Sequence, residues 1–223
     1  MSEFHTLKSK DGHQFEVYIT SPEEKTNRAI ILIQEIFGVN SHIRSVADKY
    51  AHEGFLVYAP ALFDRIRPGI ELGYTENEIK EGFDYVQDLG FTEKPLIDLE
   101  ACFEDLRSKG CKVATIGYCW GGLLSFASAT SFGLNASISY YPGSIGMLKD
   151  QKPNCPVLIH FGEQDSMIPL TEVEAFSQAQ QEVQVHMYPS GHGFNCDARG
   201  SFDRNSADLA FKRSLDFLKL HLS

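Results

Sequence analysis

The 223-residue chain has no run of 18 apolar residues, no Lys/Arg block of five or more and no low-complexity tract. The first absence excludes an apolar membrane-spanning helix. The second removes the basic footprint of a nucleic-acid binder or an anionic-membrane patch, in keeping with 20 basic against 30 acidic residues and a net charge of −10. The five cysteines, Cys102, Cys111, Cys119, Cys155 and Cys196, contain no CxxC pair, and no HExxH or similar zinc-ligand spacing occurs. Neither a disulfide-stapled scaffold nor a metal centre is therefore expected, and no cofactor. The opening MSEFHTLKSKDG has no apolar core of the signal-peptide kind. The expectation is a cytoplasmic protein whose partner is a small molecule rather than nucleic acid or membrane; its oligomeric state is not encoded in any feature recognised here.

What is present is ordinary globular composition. Apolar residues make up 43% and charged residues 22%, close enough to the average to exclude wholesale disorder. The length suits one α/β domain spanning residues 1–223. Asp11-Gly12 lies between two runs of β-type composition and predicts an N-terminal hairpin. Six nearly continuous apolar runs follow, at 29–34, 55–59, 112–117, 136–141, 156–161 and 183–188. Unbroken apolar runs of this length fit strands covered on both faces in a parallel sheet. Helical stripes fall between them: Ile43, Val46, Ala47, Tyr50 and Ala51; Leu96, Leu99, Phe103 and Leu106; and Ala207, Phe211, Leu215, Leu218 and Leu222. This alternation predicts a doubly wound, mostly parallel α/β sheet. Between about 60 and 111 no strand is predicted, and ALFDRIRPGIELGYTE reads as an irregular excursion.

The run 112–117 leads into Gly117-Tyr118-Cys119-Trp120-Gly121-Gly122 and then the helical LLSFASAT. G-x-C-x-G at a strand-to-helix turn is the nucleophile-elbow pattern with cysteine in place of serine, the small residues being needed because the turn is strained and tightly packed. Such a turn projects its side chain at the carboxyl edge of the sheet, where ligands of α/β proteins bind. The helix N-terminus beneath it favours a thiolate, and the Trp120 N–H is one donor for an oxyanion. Cys102, Cys111 and Cys155 lie in or beside apolar runs and read as packing.

A thiol nucleophile needs a base and a group to orient that base. In the chain order of an elbow enzyme, acid and histidine follow on the loops after later strands. Asp165 occupies the loop after 156–161, with Glu163 as its rival, and His192 the loop after 183–188. The second oxyanion donor belongs to an earlier strand's loop, here Gln34-Glu35-Ile36-Phe37-Gly38, with the Ile36 N–H as candidate. A Glu35 carboxylate pointing inward would compete with His192 for the thiol proton. Phe37, Trp120, Tyr141 and Phe194 are candidate pocket walls.

QEIFG at 34–38, APALFDR at 59–65, GYCWGG at 117–122, the Asp165 loop and GHGFNCDAR at 191–199 together resemble the dienelactone hydrolase (carboxymethylenebutenolidase-like) family of α/β-hydrolases along nearly the whole chain. The resemblance implies a Cys119–His192–Asp165 triad, a thiol-gating role for Glu35, and hydrolysis of a small ester or lactone. It also implies arginines that bind a substrate carboxylate. The family's two positions are occupied here by Cys196 and by Ile79 or Lys80, which leaves Arg65, Arg67 and Arg199 as nearby replacements. Two other expectations stay open: a thioester or another activated acyl substrate, and a non-hydrolytic redox-sensing thiol on the same fold.

Overall fold

A computed structural model describes residues 2–223, which divide into two compact units, one ending at Ala114 and the other spanning Thr115–Ser223. In the first unit, the Asp11-Gly12 turn closes a hairpin of β1 (Ser2–Lys8) and β2 (Gln14–Thr20), paired antiparallel with Leu7 opposite Phe15. Gly12 supplies the positive φ (89°) that the turn requires. β2 continues antiparallel onto β4 (Leu56–Pro60), and β4 runs parallel to β3 (Arg28–Ile33). The strand order is thus β1-β2-β4-β3. Residues 29–33 of β3 are all solvent-inaccessible, as an unbroken apolar strand demands.

Between β3 and β4 lies α1 (Ser41–His52), started by Asn40, whose side chain accepts from the Ile43 N–H at 3.2 Å. Two further helices fill the long strandless stretch. α2 (Glu76–Leu89) opens on a capping box in which Thr75 and Glu78 each satisfy the other's backbone N–H, and it stops at Gly90 in left-handed geometry. α3 (Glu93–Ser108) leads to β5 (Lys112–Tyr118), which begins in the first unit and ends in the second.

The excursion after β4 is pinned at both ends. Its far end pairs Glu71 with Gly38, and the Leu72 N–H donates to the Phe37 carbonyl at 2.9 Å. Gly38 has φ +79°, and a Cβ there would lie 2.0 Å from the Ile70 carbonyl oxygen, so no other residue fits. Its near end forms a short 3-10 turn, Leu62–Arg65, whose Arg65 fork binds both oxygens of Asp98 on α3 at 2.7 Å and Asp11 of the hairpin turn at 2.8 Å. Asp98 is fully buried and also accepts from the Ser9 hydroxyl. Three segments distant in sequence are therefore joined through one guanidinium.

In the second unit the strand order is β5-β6-β7-β8, with β6 (Ala136–Tyr140), β7 (Val157–Gly162) and β8 (Gln184–Tyr188) parallel to one another. α4 (Trp120–Ser131) joins β5 to β6 and is buried around most of its surface. α5 (Leu170–Ala179) joins β7 to β8, and α6 (Arg204–His221) follows β8. No helix of the described residues is long and apolar enough to cross a membrane.

Replacing Arg65 by leucine would leave Asp98 a buried carboxylate without its cation. The loss of stability expected is about 3–5 kcal/mol by urea denaturation, and Asp98→Leu in the same chain should recover part of it. A loss below about 1 kcal/mol, the value of an exposed pair, would contradict this reading.

Candidate active site

Cys119 stands between β5 and α4 with φ 55° and ψ −118°, a conformation that an L-residue adopts only under constraint, at about 1–3 kcal/mol. The constraint is visible in the neighbours. A Cβ on Gly117 would lie 1.8 Å from the Gly121 carbonyl oxygen, so the turn closes only with glycine there. The Cys119 N–H donates to the Tyr140 carbonyl at 3.0 Å, and the Cys119 carbonyl accepts from Gly122 at 2.9 Å. Trp120 is the first residue of α4, so its N–H is among the four that helix geometry leaves without an intrahelical acceptor.

The loop after β7 brings Asp165 to the same neighbourhood. Its Oδ1 accepts from the Met167 and Ile168 N–H groups at 2.8 and 3.2 Å. Its Oδ2 meets His192 Nδ1 at 2.7 Å. One oxygen thus makes the ordinary turn of an aspartate in a loop and the other orients an imidazole. Glu163, the rival acid, is exposed, whereas Asp165 and His192 are each 7% exposed.

His192 Nε2 makes no hydrogen bond of regular geometry, yet Cys119 is close enough to act on it by charge and by weaker hydrogen bonding. Apo sites often hold such contacts long, to tighten when substrate arrives. Burial works against charge on the ring, but the electrostatic influence of Cys119 and the hydrogen bond to Asp165 outweigh it and raise the His192 pKa to about 10. Burial pushes Cys102 and Cys111 upward and Cys155 to about 12, which leaves those three as unreactive apolar groups.

Tyr141 follows β6 with φ 36°, is wholly buried, and sets its ring 5.0 Å from that of His192. Phe194 packs edge-on against Tyr141 at 5.3 Å and is likewise inaccessible. Arg199 folds back on the same loop, close enough that a Cβ on Gly193 would touch its guanidinium at 2.5 Å. The second unit therefore gathers Cys119, Trp120, Asp165, His192, Tyr141, Phe194 and Arg199. Glu35, Ile36 and Phe37 belong to the first unit and are 1%, 3% and 1% exposed, with Phe37 edge-on to Tyr74 at 4.7 Å. Arg65 departs from the sequence expectation: its guanidinium is spent on Asp98 and Asp11, so it serves as a structural anchor and not as a substrate ligand. Sequence reasoning also passed over the Met167 and Ile168 amides that hold Asp165, although Asp165-x-Met167 has the spacing of an aspartate turn.

Strand–elbow–helix, then acid and histidine on successive strand ends, define an α/β-hydrolase. The dienelactone hydrolase family model matches residues 15–222, and the chain belongs to the dienelactone hydrolase family. It is 31% identical over 230 residues to the carboxymethylenebutenolidase of Pseudomonas putida, covering 98% of this chain and 96% of that one. It is 34% identical over 203 residues to a candidate carboxymethylenebutenolidase of a Synechocystis species, covering 82% of each. The crystal structure of a candidate dienelactone hydrolase from Klebsiella pneumoniae has a TM-score of 0.85 and 27% identity, covering 98% of both chains. The protein is a hydrolase acting on lactone or ester bonds.

The raised His192 pKa carries a sign that stability measurements can read. A histidine at about 10 when folded and near 6.5 when unfolded contributes stability that is complete below pH 6.5 and is lost as the pH rises through 10. The stability advantage of wild type over His192→Gln should therefore shrink between neutral pH and pH 10. An advantage that grows over that interval would contradict the ion-pair description.

Proposed function

We propose that the protein hydrolyses small activated esters or lactones through Cys119 as nucleophile, His192 as proton carrier and Asp165 as the group that orients His192. The observation that carries this is His192 held between Asp165, at 2.7 Å, and a cysteine on a strained strand-to-helix turn. The Cys119 thiolate attacks the carbonyl carbon, forming a tetrahedral adduct whose oxyanion the Trp120 N–H helps to hold. The His192 imidazolium gives its proton to the departing alkoxide or enolate, and the C–O bond breaks. His192, now neutral, takes a proton from water, and the hydroxide so formed displaces the Cys119 thiolate from the thioester, which restores the starting thiolate and imidazolium. Asp165 stays ionised throughout and fixes the proton of His192 on Nδ1.

The relatives' name, carboxymethylenebutenolidase, points to a lactone that carries a carboxylate. Arg199 supports that reading, because its guanidinium lies against Gly193, the residue that follows His192. A redox sensor would need the thiol but has no use for an oriented histidine, so hydrolysis accounts for more of the arrangement.

The test is turnover of p-nitrophenyl acetate and an enol lactone by wild type and by Cys119→Ala. The variant should fold normally by circular dichroism and lose on the order of 10³-fold or more in kcat. Full activity in Cys119→Ala would overturn the mechanism.

A further inference from the structure

β7 carries a histidine with no part in this chemistry. His160 is fully buried, and both of its ring nitrogens are engaged. Nδ1 meets the Tyr188 hydroxyl of β8 at 2.8 Å, and Nε2 meets the Ser214 hydroxyl of α6 at 3.0 Å. Ser214 in turn meets the Tyr140 hydroxyl of β6 at 2.8 Å, and Arg213 Nη1 donates to the Tyr188 hydroxyl at 3.1 Å. The half-buried Arg213 also lies over the Tyr188 ring, its Cζ 5.3 Å from the centroid.

Every link in this chain could point either way except the first. A guanidinium only donates, so the Tyr188 oxygen accepts from Arg213. Tyr188 is buried, and we assign its own proton to His160 Nδ1, 2.8 Å away. His160 Nδ1 then bears no proton, and Nε2–H donates to Ser214. Ser214 accepts that bond and passes its own proton to Tyr140. On that assignment all five groups point one way from a single permanent charge, and chains of aligned hydrogen bonds reinforce one another. Burial, together with the nearby charges of His186 and Arg213, keeps His160 neutral well below the pH at which an ordinary histidine charges.

Backbone carbonyls of three residues in this chain reach the catalytic loops. The Tyr140 carbonyl holds the Cys119 N–H at 3.0 Å. The His160 carbonyl holds the N–H of Tyr141, whose ring abuts His192, at 2.7 Å. The Tyr188 carbonyl accepts from Glu163 and Ser190, which lead into the Asp165 and His192 loops, both at 2.7 Å. The Tyr188 ring packs on Phe194 at 5.1 Å. We propose that His160 is a positioning residue: the directed chain Arg213→Tyr188→His160→Ser214→Tyr140 locks β6, β7, β8 and α6 so that Cys119, Asp165 and His192 meet. This rests on the triad reading above and adds the residues that hold the triad in place.

Two measurements test it. Nitrogen-15 NMR of labelled histidines, with His160 assigned by comparison with His160→Gln, should show a proton on Nε2 and none on Nδ1. That state should persist as the pH is lowered through 6.5, the unperturbed value. A proton on Nδ1, or titration near the ordinary value, would overturn the proposal. In kinetics, Tyr188→Phe and Arg213→Met should lower kcat by about 10- to 100-fold, as displacements approaching 1 Å do, with KM changed far less. Arg213→Lys, which restores a charged donor, should recover part of kcat. Arg213 is half-exposed, so its variants carry the test should Tyr188→Phe fail to fold. Folded variants with kcat within about twofold of wild type would show a merely structural network and overturn the proposal. The tautomer is read without turnover, so its failure is separable from that of the Cys119 mechanism, which Cys119→Ala reports alone.

Discussion

The backbone at Cys119 is held where an unconstrained cysteine would not stay, and the second unit is organised around holding it. About 1–3 kcal/mol of local strain persists only because the surroundings allow nothing else. Gly117 and Gly121 are in contact, the Tyr140 carbonyl fixes the Cys119 amide, and α4 is buried along most of its length. Each of these ties the turn to elements too well packed to yield. The return on the strain is a thiol lifted off the strand end, next to His192 and at the head of a helix.

Around that turn, neighbouring groups perform more than one task. Asp165 uses one oxygen to close its own loop and the other to orient His192, so the position of the acid and the conformation of its loop are a single fact. Tyr140 fixes the elbow with its carbonyl and ends a buried polar chain with its hydroxyl. In the first unit, Arg65 joins the hairpin turn, the excursion and α3 through one ion-pair group. Charges in this protein are thus used in two ways: in the proposed mechanism as reactants near Cys119, and as clamps where the chain departs from regular structure.

Much of this was legible in the sequence, because the relevant signals are local. The six apolar runs end within a residue or two of β3 to β8, since a strand buried on both faces leaves an unbroken apolar word. The elbow was legible because Gly117 is demanded by a contact with Gly121, four residues along the chain. α2 went unassigned although Thr75-x-x-Glu78 spells its capping box, because the apolar stripe behind it is thin, with Gly82, Val86 and Leu89 as its buried residues. What was not legible depends on partners far along the chain. Nothing near Arg65 announces that Asp98 and Asp11 claim it, and nothing near His160 announces Tyr188, Arg213 and Ser214. A cation or histidine read without its partners looks available, and burial with satisfied hydrogen bonds is what removes it from the list of ligands.

The central claim is that acyl transfer passes through the Cys119 sulfur, and a trapped intermediate tests it most directly. Rapid acid quench during turnover of a slowly deacylated p-nitrophenyl ester, followed by peptide mass spectrometry, should find the acyl mass on Cys119 alone among the five cysteines. The same quench of His192→Gln should find little or none. An acyl group on another residue, or steady turnover in which Cys119 is never acylated, would contradict the account.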